Sequence, residues 1–191
     1  MSKRQIRREQ RRRAGARNRL LTIGIVIVAA AAIAALLILP NLRPVGDIAT
    51  PDPFPRPQAQ ANMAGDPNAP VKLEEFSDFQ CPFCRRFFEE TEKQVVDTYV
   101  ATGKVYFVYH SVGKFIGEES LAGAEAAYCA GDQAKFWEMH DLLFANQTGE
   151  NVGAFSNRRL VAFAEKLELE MADFRSCFNG GKYIDLANQD A

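Results

Sequence analysis

At 191 residues the chain has room for one domain with additions, and a composition of 47% hydrophobic and 25% charged residues excludes collagenous and wholly disordered classes. The formal net charge of -1 conceals an asymmetry, because nine of the 23 Lys and Arg residues fall within the first 19 positions beside a single acid, Glu9. The remainder carries 14 basic and 23 acidic residues, so the folded part lacks the basic charge a nucleic-acid partner needs against phosphate, and such a partner is excluded.

In chain order, residues 1–19 form a basic segment. Residues 20–39, Leu20 to Leu39, carry no charge and have only Thr22 and Gly24 as weakly polar members. At 1.5 Å rise per residue this run reaches roughly 30 Å as a helix, enough for one membrane crossing. The positive-inside bias keeps the N-terminus cytoplasmic and places everything after Pro40 outside. A cleaved signal peptide is the competing reading, but its apolar stretch is usually shorter and ends in small residues with a polar flank. Residues 40–64 follow as a Pro-rich linker: eight of the nine prolines lie between Pro40 and Pro70, which predicts a semi-extended spacer. An ordered segment lying on the domain, with Phe54 docking, is the alternative.

The domain, residues 65–191, opens with a predicted strand from Val71 to Phe76. Pro82 suits the first position of a helix, where its missing N–H would be unpaired in any case, and Cys81 then falls at the N-cap. Phe83, Phe87, Phe88, Val95, Tyr99 and Val100 recur at helical spacing, with Arg85, Glu89, Glu92 and Lys93 on other faces, so the helix runs to about Ala101. A second strand, Val105 to Tyr109, completes a strand–helix–strand unit that wants parallel strands. Helices are expected over Glu118 to Ala130, Gln133 to Asn146, Asn157 to Leu167 and Met171 to Phe178, with a last piece from Lys182.

The chemistry-bearing motif is Phe79-Gln80-Cys81-Pro82-Phe83-Cys84. A Cys-x-x-Cys pair at a helix start puts the first sulfur at the positive end of the helix dipole, which favours thiolate and makes Cys81 the attacking group. Cys84, nearly one turn later and more buried, can resolve a mixed disulfide by attacking the Cys81 sulfur. Half a zinc site is a competing reading, but it requires two more ligands at close spacing. His110 and His140 are 30 positions apart and Cys129 and Cys177 are 48 apart. An inert structural disulfide is the other competitor, and so short a loop gains little from it. Phe136, Trp137, His140, Leu143 and Phe144 share helical spacing and read as a packing face with a hydrogen-bonded histidine. His110, at the end of the second strand, has no assigned role.

The run Gly65-Asp66-Pro67-Asn68-Ala69-Pro70 followed by Glu75-Phe76-Ser77-Asp78-Phe79-Gln80-Cys81-Pro82-Phe83-Cys84 closely resembles the DsbA-like, thioredoxin-fold disulfide oxidoreductases of bacterial envelopes. Ala126-Ala127-Tyr128-Cys129-Ala130 and Phe136-Trp137-Glu138-Met139-His140-Asp141-Leu142-Leu143-Phe144 resemble the helical insertion of the same family. The resemblance implies an α/β, thioredoxin-like fold with a helical insertion, here preceded by one transmembrane helix. It implies Cys81 as nucleophile, Cys84 as resolving thiol and Glu75 as a buried auxiliary acid, although Glu74 could equally be the inward carboxylate, since neighbours on a strand face opposite sides. It implies that Cys129 and Cys177 form a structural disulfide; two buried free thiols remain the alternative. Phe83 departs from the histidine of the best-known relatives and offers no charge to the Cys81 thiolate, which points to a weaker oxidant.

Thioredoxin-like domains also present a cis-proline against the cysteines and further strands. No proline follows Pro82 and no strand-like run follows Asn179, so a C-terminal truncation is expected, with a partner-completed domain as the rival. The functional expectation is an extracytoplasmic thiol-disulfide oxidoreductase acting on thiols or disulfides of exported proteins. It needs no metal or organic cofactor and is recycled by a membrane or soluble redox partner. The alternative is a non-catalytic, membrane-tethered binding or scaffold module.

Overall fold

A computed structural model describes residues 23–36 and 44–189. The chain divides into two units, residues 1–44 and 45–191. In the first, residues 23–36 form helix α1 with its side chains exposed. The ends of the expected apolar span, residues 20–22 and 37–39, and the basic segment 1–19 lie outside the described residues. Among the described residues no helix is long and apolar enough to cross a membrane.

The second unit is built on a three-stranded sheet of β1 (Met63–Ala64), β2 (Val71–Ser77) and β3 (Val105–Ser111), in the order β1-β3-β2. β2 and β3 run parallel, with Glu75 opposite Tyr109 and Phe76 opposite His110. β1, only two residues long, carries no periodicity that a sequence pattern could show. It pairs antiparallel with β3, and Gly65 ends it with φ +93°. A Cβ at Gly65 would lie 2.7 Å from the Val105 carbonyl oxygen and 2.8 Å from Val100 Cγ1, so only glycine lets the chain pass there.

Helix α2, residues 82–100, joins β2 to β3. It alternates α-helical turns (Pro82–Phe87, Lys93–Val95) with π-helical ones (Phe88–Glu92, Val96–Val100). Its inward stripe is Cys84, Phe88, Glu92, Val96 and Val100, every fourth residue. At 3.6 residues per turn such a stripe drifts by about 40° per step and would rotate out of the core over the helix; wider π turns cancel the drift. Two expectations are thereby corrected. Tyr99 is exposed, and Glu92, expected on an outer face, is fully buried on the stripe that carries Cys84.

Among the described residues five further helices follow: α3 (Glu118–Gly131), α4 (Phe136–Ala145), α5 (Asn157–Lys166), α6 (Met171–Gly180) and α7 (Ile184–Asn188). α3 presents Ala124, Ala126, Ala127 and Ala130 to the core, small enough for α4 to pack closely with Phe136, Met139, Leu143 and Phe144. A disulfide links Cys129 of α3 to Cys177 of α6, with Cα atoms 5.8 Å apart. Replacing both cysteines by alanine is expected to destabilise the fold by about 2–4 kcal/mol, because the bond closes a long loop in the unfolded chain. Urea unfolding with and without the replacement checks this, and unchanged midpoints would count against it.

Residues 45–64 are not a free spacer. The unit begins at Val45, and Ile48 and Phe54 pack on the core while Arg56 is buried. Ala49 donates its N–H to Asn146 Oδ1 at 2.9 Å and accepts from Asn146 Nδ2 at 2.8 Å, as a strand neighbour would. Arg159 Nη1 donates to the Val45 carbonyl at 2.6 Å. The prolines keep this strap extended with its carbonyls free to accept such bonds, which reconciles the Pro-rich composition with an ordered path.

Candidate active site

The strand β2 ends in a buried turn, Ser77-Asp78-Phe79-Gln80, that delivers Cys81 to the start of α2. Asp78 shapes the turn: Oδ1 accepts from the Gln80 N–H at 2.7 Å, its carbonyl accepts from the Cys81 N–H at 2.9 Å, and Oδ2 accepts from the Ile116 N–H at 3.2 Å. The helical insertion grips the same turn. Gln147 Nε2 donates to the carbonyls of Phe79 at 2.7 Å and Cys81 at 3.1 Å, and Gln80 Nε2 donates to Ser120 Oγ at 2.8 Å. Phe79 points the other way, into the core, against Tyr109 and Phe144.

Cys81 is the N-cap residue with extended backbone, and Pro82 takes the first helical position. Cys81 and Cys84 are both half-buried and unbonded to each other. Burial pushes the Cys84 thiol up, with the neighbouring Cys81 adding to the rise, and Ser77 and the Asp78 backbone pull it down. The Ser77 hydroxyl acts in this way without a close hydrogen bond of its own. Phe83, between the cysteines, is 72% exposed and has the Arg86 guanidinium 5.6 Å from its ring centroid.

The two candidate carboxylates part company. Glu74 faces solvent, pairing with Lys72 Nζ at 2.6 Å and His110 Nε2 at 3.0 Å, and Lys72 holds its carboxyl below the usual range. Glu75 turns inward beside Tyr109, and its Oε2 is buried without a hydrogen-bond partner. Burial raises its carboxyl to about 7, helped by the charge of Glu92 and opposed by His140, Ser77 and Arg56. His110 stacks on Phe76 at 4.8 Å on the outer face of the sheet.

Sequence reasoning missed what lies beneath Glu75. Arg56, from the strap, donates to Glu92 Oε1 through Nη2 at 2.6 Å and to Asp141 Oδ2 through Nη1 at 2.6 Å. Its guanidinium lies 4.2 Å from the Phe54 ring centroid and 4.7 Å from that of Trp137. Burial alone would lower the Arg56 value, but the two acids raise it by more, and Asp141 is held below the usual carboxylate range by His140 and Arg56. His140 is buried among Phe79, Phe88, Tyr109, Trp137 and Phe144, with Nδ1 2.9 Å from Asp141 Oδ1. The available signal was a glutamate four residues after Phe88 and four before Val96. Among the described residues one cluster has metal-ligand proximity, Glu125, Cys129 and Cys177, and its two sulfurs are bonded to each other.

The geometry can be tested through stability. Glu75 binds its proton more tightly in the folded chain, at about 7, than at the ordinary value of 4.5. The folded state therefore gains stability that is fully present below about pH 4.5 and lost as pH rises through about 7. Glu75→Gln is expected to stabilise the protein by about 3 kcal/mol above neutral pH and to do little at acid pH. Parallel curves of melting temperature against pH for the two proteins would refute the assignment.

Cys81 and Cys84 stand at the head of the helix that joins two parallel strands, and residues 58–191, which hold this unit, match a family model described as thioredoxin. The chain belongs to the thioredoxin family. Within that family it is similar to the probable disulfide bond formation protein D of Bacillus cereus, 38% identical over 87 residues, 44% of this chain and 39% of the relative. It is also 35% identical over 114 residues to the Na(+)/H(+) antiporter NhaA 1 of Salinispora arenicola, 60% of this chain and 16% of that protein. The chain thus spans well under half of the length of these curated relatives. The fold matches that of oxidised BdbD from Bacillus subtilis with a TM-score of 0.61 at 22% identity, covering 68% of this chain and 71% of that one. The DsbA-like resemblance carried by the motif residues is borne out at the level of family and fold.

Proposed function

We propose that this thioredoxin-family chain is an extracytoplasmic thiol-disulfide oxidoreductase that exchanges disulfides with exported proteins through Cys81 and Cys84. The observation that carries the reading is the pair itself. One sulfur stands at the N-cap of α2, where backbone N–H groups are free, and the second lies one turn in, on the inward stripe of the same helix beside Ser77. In this reading Cys81 attacks or is attacked by the substrate sulfur, and Cys84 resolves the mixed disulfide. Glu75 takes or returns the proton of the buried thiol, its position near neutrality fitting it to do both. Cys129–Cys177 serves as the structural disulfide of the helical insertion. The apolar run 20–39 anchors the domain as a single membrane-spanning segment with residues 1–19 in the cytoplasm, and a membrane or soluble redox protein recycles the pair.

Support comes from the family match and from the likeness to a disulfide bond formation protein. The experiment is to assay the chain for reduction of insulin disulfides and for oxidation of a reduced dithiol peptide. Turnover in either assay is expected. Silence in both, with Cys81 and Cys84 accessible to alkylation, would defeat the proposal.

A further inference from the structure

Gln147 lies just past the end of α4, buried against the turn that carries Cys81. Its Nε2 donates one N–H to the Phe79 carbonyl at 2.7 Å and the other to the Cys81 carbonyl at 3.1 Å. Both partners are acceptors, so only the nitrogen end of the amide can face them. The Cys81 carbonyl is also where α2 begins, since it accepts from the Arg85 N–H at 3.0 Å. Arg85 then reaches back: Nη1 donates to the Gln147 carbonyl at 2.8 Å, while Nε pairs with Glu89 Oε1 at 2.7 Å. These bonds close a ring. It runs from the Cys81 carbonyl through the Gln147 amide, the Gln147 carbonyl and the Arg85 guanidinium to the Arg85 N–H and back. The core fixes one side of it, because the Gln147 N–H donates to the Phe144 carbonyl at 3.3 Å and the Phe144 ring lies 5.0 Å from that of Phe79.

The constraint falls on one peptide. Cys81 is extended, at φ -71° and ψ 121°, immediately before the first helical residue. Its own N–H goes to the Asp78 carbonyl and Pro82 has none, so the donors left to a sulfur at this N-cap are the N–H groups of Phe83 and Cys84. Reaching them depends on how the Cys81 peptide is turned. Rotating it would draw its carbonyl away from the Gln147 amide and the Arg85 N–H together.

We propose that Gln147, held by Arg85, is the positioning residue that keeps Cys81 in the geometry a thiolate needs, and so sets the redox poise of the pair. The inference rests on the reading of Cys81 and Cys84 as that pair. Gln147 touches the Cys81 carbonyl and not its sulfur. A thiolate at Cys81 gains from the N–H groups at the helix head, whereas a sulfur bonded to Cys84 carries no charge for them to stabilise. Holding the peptide therefore favours the dithiol form alone and makes the disulfide form a stronger oxidant. With phenylalanine between the cysteines, backbone dipoles have to supply what a charged neighbour would. The helical insertion, which contributes neither cysteine of the pair, thus tunes it.

The test equilibrates the full chain with glutathione and its disulfide at neutral pH and reads the redox state of Cys81 and Cys84 by thiol trapping. In reduction the protein disulfide takes two electrons from two glutathione thiols, which join as glutathione disulfide. One of their protons goes to Cys84 and the other to solvent, Cys81 standing as thiolate. Gln147→Met keeps the side-chain length and loses both donors. It is expected to shift the equilibrium constant about tenfold toward the protein disulfide, the size of one ordinary hydrogen bond. Arg85→Met, a change at the surface that leaves the core packed, is expected to shift it the same way by a few-fold. Gln133→Met is the control, because Gln133 likewise clamps a backbone, giving to the Glu170 carbonyl at 3.2 Å and accepting from its N–H at 2.7 Å, far along the chain from the pair. It is expected to lower the melting temperature and leave the equilibrium constant as in the wild type. A purely structural clamp would weaken both redox forms alike. Folded Gln147→Met and Arg85→Met proteins with the wild-type equilibrium constant would therefore overturn the proposal, and so would an equal shift in Gln133→Met. Where Gln147→Met does not fold, Arg85→Met decides. A wild-type chain whose Cys81 and Cys84 never exchange with glutathione would instead overturn the redox reading itself.

Discussion

Cys81→Ser is expected to abolish disulfide exchange, and Cys84→Ser to stop it at a different point. The asymmetry follows from position. Cys81 caps α2 at the head of the helix, where a negative sulfur meets the first free N–H groups, whereas Cys84 lies on the inward stripe and is pushed up by burial. A chain without Cys81 has no exposed attacking group and gives no turnover and no adduct. A chain without Cys84 still forms the mixed disulfide but has nothing to break it, so a covalent complex with a thiol-bearing peptide accumulates. Non-reducing electrophoresis distinguishes the two outcomes. Adduct formation at Cys84 in the Cys81→Ser protein, at the rate of the opposite variant, would reverse the assignment.

Arg56→Met is expected to destabilise the fold by about 3–5 kcal/mol, because it strands Glu92 and Asp141 in the core without their counter-charge. The Arg56 side chain is fully buried, as is that of Glu92, so solvent screening does not relieve the loss. The guanidinium's fork contacts both acids at 2.6 Å while its face lies against Phe54 and Trp137. Lysine, a single point charge, reproduces one contact at a time, and Arg56→Lys is expected to recover only part of the stability. Neutralising the acids as well, in Arg56→Met/Glu92→Gln/Asp141→Asn, is expected to restore much of it. Equilibrium urea unfolding measures all three. A loss below about 1 kcal/mol for Arg56→Met, the range of an exposed pair, would show that the acids do not depend on it.

Much of the scaffold was legible from local signals. The pair at a helix start, the β-branched and aromatic strand around Phe107 and the glycine breaks between helices are short-range features, and the observed elements begin and end within a few residues of the expected ones. The inward carboxylate was not legible, because alternation allows Glu74 or Glu75 to face in and the choice is made by the pairing of β2 with β3. A 3.6-residue repeat puts Glu92 on an outer face, whereas the π turns hold every fourth residue inward. Arg56 was hidden for a different reason. Its partners lie 36 and 85 positions away, and a cation between prolines looks like a solvated linker until the fold brings acids to it.

The strap alters where this domain should be said to begin. Similarity places the boundary at residue 58, but the compact unit starts at Val45. A polypeptide trimmed to the shared family boundary would keep every catalytic candidate and every strand, yet leave behind the cation that neutralises Glu92 and Asp141. Homology here marks the inherited core, while electrostatic completeness marks a longer piece of chain.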